Sequence, residues 1–264
     1  MDLQKLCLQV NDLCRETAVF IRSERAQWSD DKVSEKGINN FVTTVDTAVE
    51  ALLVEKLSIL LPGSGFIAEE GTATEHGETY QWIIDPIDGT TNFIHNLPCY
   101  AISIALKQDE AIVLGVVYEV NQDECFYSWK GGKAHLNDTE IQASDTPKLN
   151  ESLLAMGFPY DNAGLLDTYM ALFKELIQSS RGLRRIGSAA VDLAYVASGR
   201  FDAFYEYGLN SWDVAAGAFI VQQAGGLVSD FNGSDNFLFG GQIVAANSEV
   251  HEELRQIIDR HMPD

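Results

Sequence analysis

The sequence predicts a mixed α/β (α+β) protein with its elements packed in layers. Two observations carry this. A run of strand-like segments fills the first half behind two amphipathic helices, and strands and helices alternate after about residue 150.

Residues 2–28 read as an amphipathic helix, because Leu3, Leu6, Cys7, Val10, Leu13, Cys14 and Ile21 recur at spacings of three and four. The polar, mixed-charge stretch from Ser29 to Asn40 reads as a loop. A second helix, from about Thr43 to Leu60, turns Val45, Val49, Leu52, Leu53 and Leu60 inward and stops at Pro62-Gly63. Short apolar strands follow at 66–68 and 81–84. Segments 101–106, 112–120 and 124–129 read as consecutive antiparallel strands with turns at Asp109 and Asn121. Beyond residue 150, strands are expected at 152–156, 202–205, 227–229 and 243–246. Helices are expected at 165–178, 189–197, 214–223 and 249–260. No Pro/Ser-rich linker and no internal repeat divides the chain. Residues 1–264 therefore read as one domain with sub-lobes of about 1–145 and about 146–264.

Charge narrows the choice of partners. With 39 Asp and Glu against 18 Lys and Arg, the formal net charge is -21. Such a surface repels nucleic-acid phosphates and anionic membranes, so no direct nucleic-acid binding and no membrane contact are expected. It would also repel a phosphorylated substrate unless bound cations supplied local positive charge. Cys7, Cys14, Cys99 and Cys125 form no CxxC pair and have no histidine cluster beside them, so no zinc site is expected, and Cys7 and Cys14, seven apart on one helix face, read as small buried hydrophobes. The N-terminus lacks a basic segment followed by an apolar run, and no stretch approaches ~18 uninterrupted apolar residues. The expectation is a cytoplasmic protein.

The sharpest local feature is the segment Trp82-Ile83-Ile84-Asp85-Pro86-Ile87-Asp88-Gly89-Thr90-Thr91-Asn92-Phe93. An apolar strand ends in two carboxylates three residues apart, with Pro86 stiffening a turn between them. Gly89 permits close approach of backbone to a ligand, and the free N–H groups of a helix opening at Thr90 suit an anion. Hard cations beside a phosphate fit this chemistry, since magnesium binds through carboxylate and substrate oxygens. An Asx-Pro turn with a helix cap fits the spacing as well. Three more acids stand in comparable settings: Glu69 after an apolar strand, Asp213 at a helix start, and Asp46 after Phe41-Val42-Thr43-Thr44-Val45. Taken singly, they also read as a loop acid, an N-cap and a first-turn dipole partner.

Together these pieces resemble the inositol monophosphatase family. The matching stretches are Lys36-Gly37 with residues 40–46, Ala68-Glu69-Glu70, residues 82–93, Gly187-Ser188-Ala189-Ala190, Phe204-Tyr205-Glu206, and residues 212–217. They occur in the family's order with similar spacing. One departure is Asn40, where relatives usually carry Asp.

The resemblance implies a layered α-β-α-β-α sandwich of the sugar-phosphatase type. It further implies magnesium-dependent hydrolysis of a small phosphate monoester, with myo-inositol monophosphate the first choice of substrate. Glu69, Asp85, Asp88 and Asp213 would be metal-ligand side chains, and Ile87 would add its carbonyl, for two or three Mg2+ per site. Glu69, Asp85 and Ile87 would hold the metal that carries the attacking water. Asp85, Asp88 and Asp213 would hold one that steadies the leaving oxygen. Thr90, oriented by Asp46, would help to take the water's proton, and Lys36 would lie near the site. Asp88, Gly89, Thr90, Gly187, Ser188, Ala189, Glu206 and Asp213 would contact substrate, with Glu206 accepting from ring hydroxyls. Two carboxylates ~4 Å apart at an effective dielectric of ~20 repel by roughly 4 kcal/mol, so converging acids call for cations. Lithium inhibition and a homodimer also follow from the resemblance. The alternatives are a fructose-1,6-bisphosphatase or another sugar or nucleotide phosphatase of the same fold. From another class, the alternative is a regulatory binding protein built on the scaffold.

Overall fold

A computed structural model describes residues 1–29, 33–37, 40–73, 77–158 and 165–262, with backbone alone for 35–37 and 40–41. In chain order the first half contains α1 (Leu3–Ala26), β1 (Val33–Gly37), β2 (Asn40–Thr43), α2 (Thr44–Leu60), β3 (Gly65–Ala68), β4 (Tyr80–Asp88), α3 (Thr90–Ile94), β5 (Ala101–Gln108), β6 (Ala111–Glu119), β7 (Glu124–Trp129), β8 (His135–Leu136) and β9 (Thr139–Glu140). The second half contains β10 (Leu153–Met156), α4 (Leu166–Ser179), β11 (Gly182–Arg184), α5 (Ala189–Ala197), β12 (Ala203–Tyr207), α6 (Ser211–Gln223), β13 (Leu227–Ser229), β14 (Gln242–Ala246) and α7 (His251–His261).

Strands β3 to β9 form a seven-stranded sheet in sequence order, parallel at β3–β4 and antiparallel beyond. The other large sheet has five strands in the order β11-β10-β12-β14-β13. Three apolar cores bind them into layers. Val10, Val49 and Leu53 of α1 and α2 pack with Trp82, Ile104 and Val116 on one face of the larger sheet. Ile83, Ala105 and Val117 on its other face share a core with α5 and α6 and with Ala155, Phe204 and Ala245 of the smaller sheet. Leu154, Tyr205 and Val244, on that sheet's far side, meet Leu172 of α4 and Leu254 of α7. The order α-β-α-β-α is thus a mixed α/β layered fold.

The sandwiching explains the sequence patterns. Trp82, Ile83 and Ile84 are all buried because both faces of β4 are covered, so the strand reads as a continuous apolar run rather than an alternation. Helix α6 lies between two sheets and is buried from Val214 through Val221, so it lacks an amphipathic stripe.

Three local readings change. The segment read as a loop up to Asn40 contains β1, which pairs antiparallel with β2 through Val33↔Thr43 and Ser34↔Val42. Backbone pairing decides this, and a polar composition does not reveal it. Strand β4 does not stop before Pro86 but continues to Asp88, with its register on β5 shifting between Asp85 and Asp88. Such an irregularity accommodates a proline inside a sheet and re-aims neighbouring side chains. Strands β8, β9 and β11, of two or three residues each, are too short to carry a legible period. Among the described residues no helix is long and apolar enough to cross a membrane.

Candidate active site

The ends of several elements converge on one cavity of about 460 Å³. Strand β4 delivers Asp85 and Asp88 there. The parallel register Ala68↔Ile84 brings the end of β3 alongside, and the Glu69 N–H donates to the Ile84 carbonyl at 3.2 Å. Asp213 enters from the first turn of α6, where its carboxylate accepts the Asn210 N–H at 2.6 Å and completes a capping box. Ser188 starts α5, and Glu206 stands near the end of β12.

The cavity is lined by Glu69, Asp85, Ile87, Asp88, Gly89, Thr90, Gly187, Ser188, Ala189, Glu206 and Asp213. Asp46 stands behind this lining. The Thr90 hydroxyl lies 3.1 Å from Asp46 Oδ1 and 3.0 Å from the Ile87 carbonyl, so its single proton has two acceptors. Asp46 is fixed in turn by the Thr43 N–H at 2.9 Å and by the Thr43 hydroxyl. The Lys36 side chain, expected near the site, lies outside the described residues.

Electrostatics follow from this crowding. One carboxylate oxygen each from Asp85, Asp88 and Asp213 lies within 4.8 Å of the others. Burial, and then the charge of Glu69 and of its other acidic neighbours, pushes Asp85 well above the usual carboxylate range. Burial also raises Asp88, while hydrogen bonds from the Ser188 hydroxyl and the Ala190 N–H, both 2.6 Å, pull the other way. Asp213 is raised by burial and by Asp88. Burial lifts Asp46 to about 6 and Glu206 to about 8, the latter opposed by Arg185. The donor set contains oxygen alone, with no imidazole or thiolate, which suits a hard divalent cation. The Ile87 carbonyl adds another oxygen, and its two lone pairs mean that the Thr90 bond does not exclude a metal. The residues therefore fit magnesium.

Gly89 is tied to its place by geometry. Its φ is +97°, and a Cβ there would lie 3.0 Å from the Cys99 carbonyl and 3.1 Å from that of Gly187. Arg185 and Asn92 also line the cavity and were not singled out as site residues from the sequence. Asn92 Nδ2 lies 2.8 Å from the Cys99 carbonyl and 2.7 Å from that of Ile186, so it ties the Gly187 turn to α3. The available signals were the Arg-Arg pair ahead of Ile186-Gly187 and the asparagine after Thr90-Thr91.

Comparison with known proteins adds lineage. The description of the inositol monophosphatase family matches residues 2–262. A protein of Pseudomonas aeruginosa named Nus factor SuhB is 44% identical over 236 residues, covering 88% of this chain and 87% of that one. An inositol-1-monophosphatase of Mesorhizobium japonicum is 39% identical over 230 residues, covering 87% and 86%. The crystal structure of the extragenic suppressor protein suhB from Bartonella henselae superposes with a TM-score of 0.90 at 33% identity, covering 99% of this chain and 100% of that one.

Proposed function

The chain belongs to the inositol monophosphatase family, and on that premise we propose that it hydrolyses a small phosphate monoester with magnesium, myo-inositol monophosphate being the favoured substrate. The observation that carries this reading is the convergence of Asp85, Asp88 and Asp213 in one cavity whose wall also presents Thr90 and Glu206. Glu69, Asp85, Asp88, Asp213 and the Ile87 carbonyl would hold two or three magnesium ions. Bound magnesium would polarise the phosphoryl and leaving oxygens and acidify water.

The chain's own groups do the rest. Amides of Gly89 and Thr90 receive the phosphate at the start of α3. The Thr90 hydroxyl takes a proton from the attacking water and passes its own to Asp46, whose raised pKa of about 6 suits a proton acceptor near neutrality. Water oxygen bonds to phosphorus as the ester P–O bond breaks, and the departing alkoxide is protonated from solvent. Glu206 accepts from hydroxyls of the polyol, with Gly187, Ser188 and Ala189 beside it.

Phosphate release with magnesium over inositol monophosphate, fructose 1,6-bisphosphate and nucleotide monophosphates tests the reading. Turnover is expected to favour the inositol ester, to fall in millimolar-range lithium and to be lost in Asp88→Asn. An Asp88→Asn protein with full turnover would defeat the metal assignment. A homodimer belongs to the same proposal, and sedimentation equilibrium checks it.

A second reading has one observation in its favour, the 44% identity to a relative named Nus factor SuhB. On that reading the chain also binds a partner, and its charge of -21 suits a basic protein surface. Asp88→Asn would keep such binding while losing turnover.

A further inference from the structure

The Glu206 carboxylate rests against bare backbone. Strand β10 runs parallel to β12, with Met156 opposite Tyr205, so Gly157 follows directly beside Glu206. A Cβ built on Gly157 would lie 1.8 Å from both Cδ and Oε1 of Glu206 and 2.0 Å from Oε2. No real side chain occupies that space while Glu206 keeps its place. The φ of Gly157 lies outside the left-handed region, so an alanine there would be opposed by Glu206 and not by the backbone. The seat itself is fixed: the Gly157 N–H reaches the Tyr205 carbonyl at 3.4 Å, and the fully buried Tyr169 hydroxyl donates to the Gly157 carbonyl at 2.8 Å.

Among the described residues nothing else holds Glu206 as firmly. Among the described residues no hydrogen bond is donated to its carboxylate, and Arg185 attracts it only through charge. Its acceptor oxygens are thus positioned by contact with residue 157 and remain available to donors in the cavity that Glu206 lines.

We propose that Gly157 is a specificity-determining positioning residue, whose missing side chain seats the Glu206 carboxylate where it meets the hydroxyls of a polyol phosphate. The inference rests on the inositol-phosphate reading above. Residue 157 acts through Glu206 and need not touch the reacting atoms. Any side chain at 157 would push the carboxylate out of its seat, and discrimination in favour of polyol esters over esters without hydroxyls would fall.

A four-protein cycle tests this: wild type, Gly157→Ala, Glu206→Ala and the double variant, each assayed on inositol monophosphate and on phenyl phosphate. Gly157→Ala is expected to lower the ratio of the two kcat/KM values by about ten- to hundredfold, the weight of the polyol hydroxyl hydrogen bonds that the seated Glu206 oxygens accept. In the Glu206→Ala background the same substitution is expected to leave the ratio where Glu206→Ala put it. Equal losses on both esters, or a second loss of similar size in the double variant, would overturn the proposal. If Gly157→Ala does not fold, the contact predicts that the double variant does, and a double variant that also fails to fold would overturn it as well. A wild-type protein that cleaves neither ester would sink the functional reading instead. The seat would then be judged from melting temperatures of the same four proteins, where additive losses would refute it.

Discussion

The Ser188 hydroxyl donates a 2.6 Å hydrogen bond to the Asp88 carboxylate across 100 positions of sequence. The same Ser188 oxygen accepts the Val191 N–H at 3.3 Å and so caps α5. One side chain thereby begins a helix of the middle layer and orients an acid at the end of β4. Ser188→Ala is expected to cost about 1 kcal/mol of stability through the lost cap. Turnover should fall further, by about tenfold, through the freed Asp88 carboxylate. Urea denaturation and phosphate release measure the two separately, and unchanged turnover would mean that the bond does not orient Asp88 for catalysis.

Glu50 has a comparable role on the other side of the larger sheet. It is fully buried on α2 and accepts the Glu70 N–H at 2.7 Å, the Thr72 N–H at 2.8 Å and the Thr72 hydroxyl at 2.7 Å, which pins the turn after Glu69. Glu50→Ala leaves two amides without their acceptor and is expected to cost about 2–4 kcal/mol. Glu50→Gln keeps one acceptor oxygen and should cost less. In both variants the magnesium concentration for half-maximal turnover should rise, and isothermal titration with the metal alone gives an independent check.

The acids around the cavity set an unusual pH dependence. Burial lifts Asp46 to about 6 and Glu206 to about 8, and raises Asp192, which also feels Glu206 and Asp88, well above its usual range. Each therefore binds a proton more tightly folded than unfolded. Their contribution is most favourable below the unfolded value of about 4 and declines as pH rises through the folded values, at about 1.4 kcal/mol per pKa unit. Asp192→Asn removes one such group from α5. Melting of metal-free protein between about pH 5 and about pH 8 should then show a shallower decline in the variant than in wild type. Parallel profiles would contradict the assignment.

Thr90 and Asp46 are expected to act as a unit. Thr90→Val keeps the shape and removes the hydroxyl, and should lower kcat by ~10²–10⁴ with a smaller change in KM. Asp46→Asn should do much the same, and the double variant should be little worse than either single one. Multiplying losses in single-turnover measurements would show that the two groups do not share one proton path.

The helices α1, α2, α4 and α5, the strand run from β5 to β7 and the placing of acids at element ends could be read from the sequence. Each leaves a local mark: apolar spacing, a cap, or a carboxylate after an apolar run. The antiparallel pairing of β1 with β2, the irregularity between Asp85 and Asp88, and the supporting roles of Glu50 and Gly157 could not. A backbone pairing, a carboxylate reaching a turn some twenty residues away and a strand end that must stay bare to seat Glu206 have no period to detect. The amino-acid order by itself determined which groups are present and which of the longer segments form helix or strand, because those depend on neighbours two to four residues away. Only the tertiary packing decided which acids share a cavity and how each is held, because burial and mutual repulsion arise between residues the chain keeps far apart.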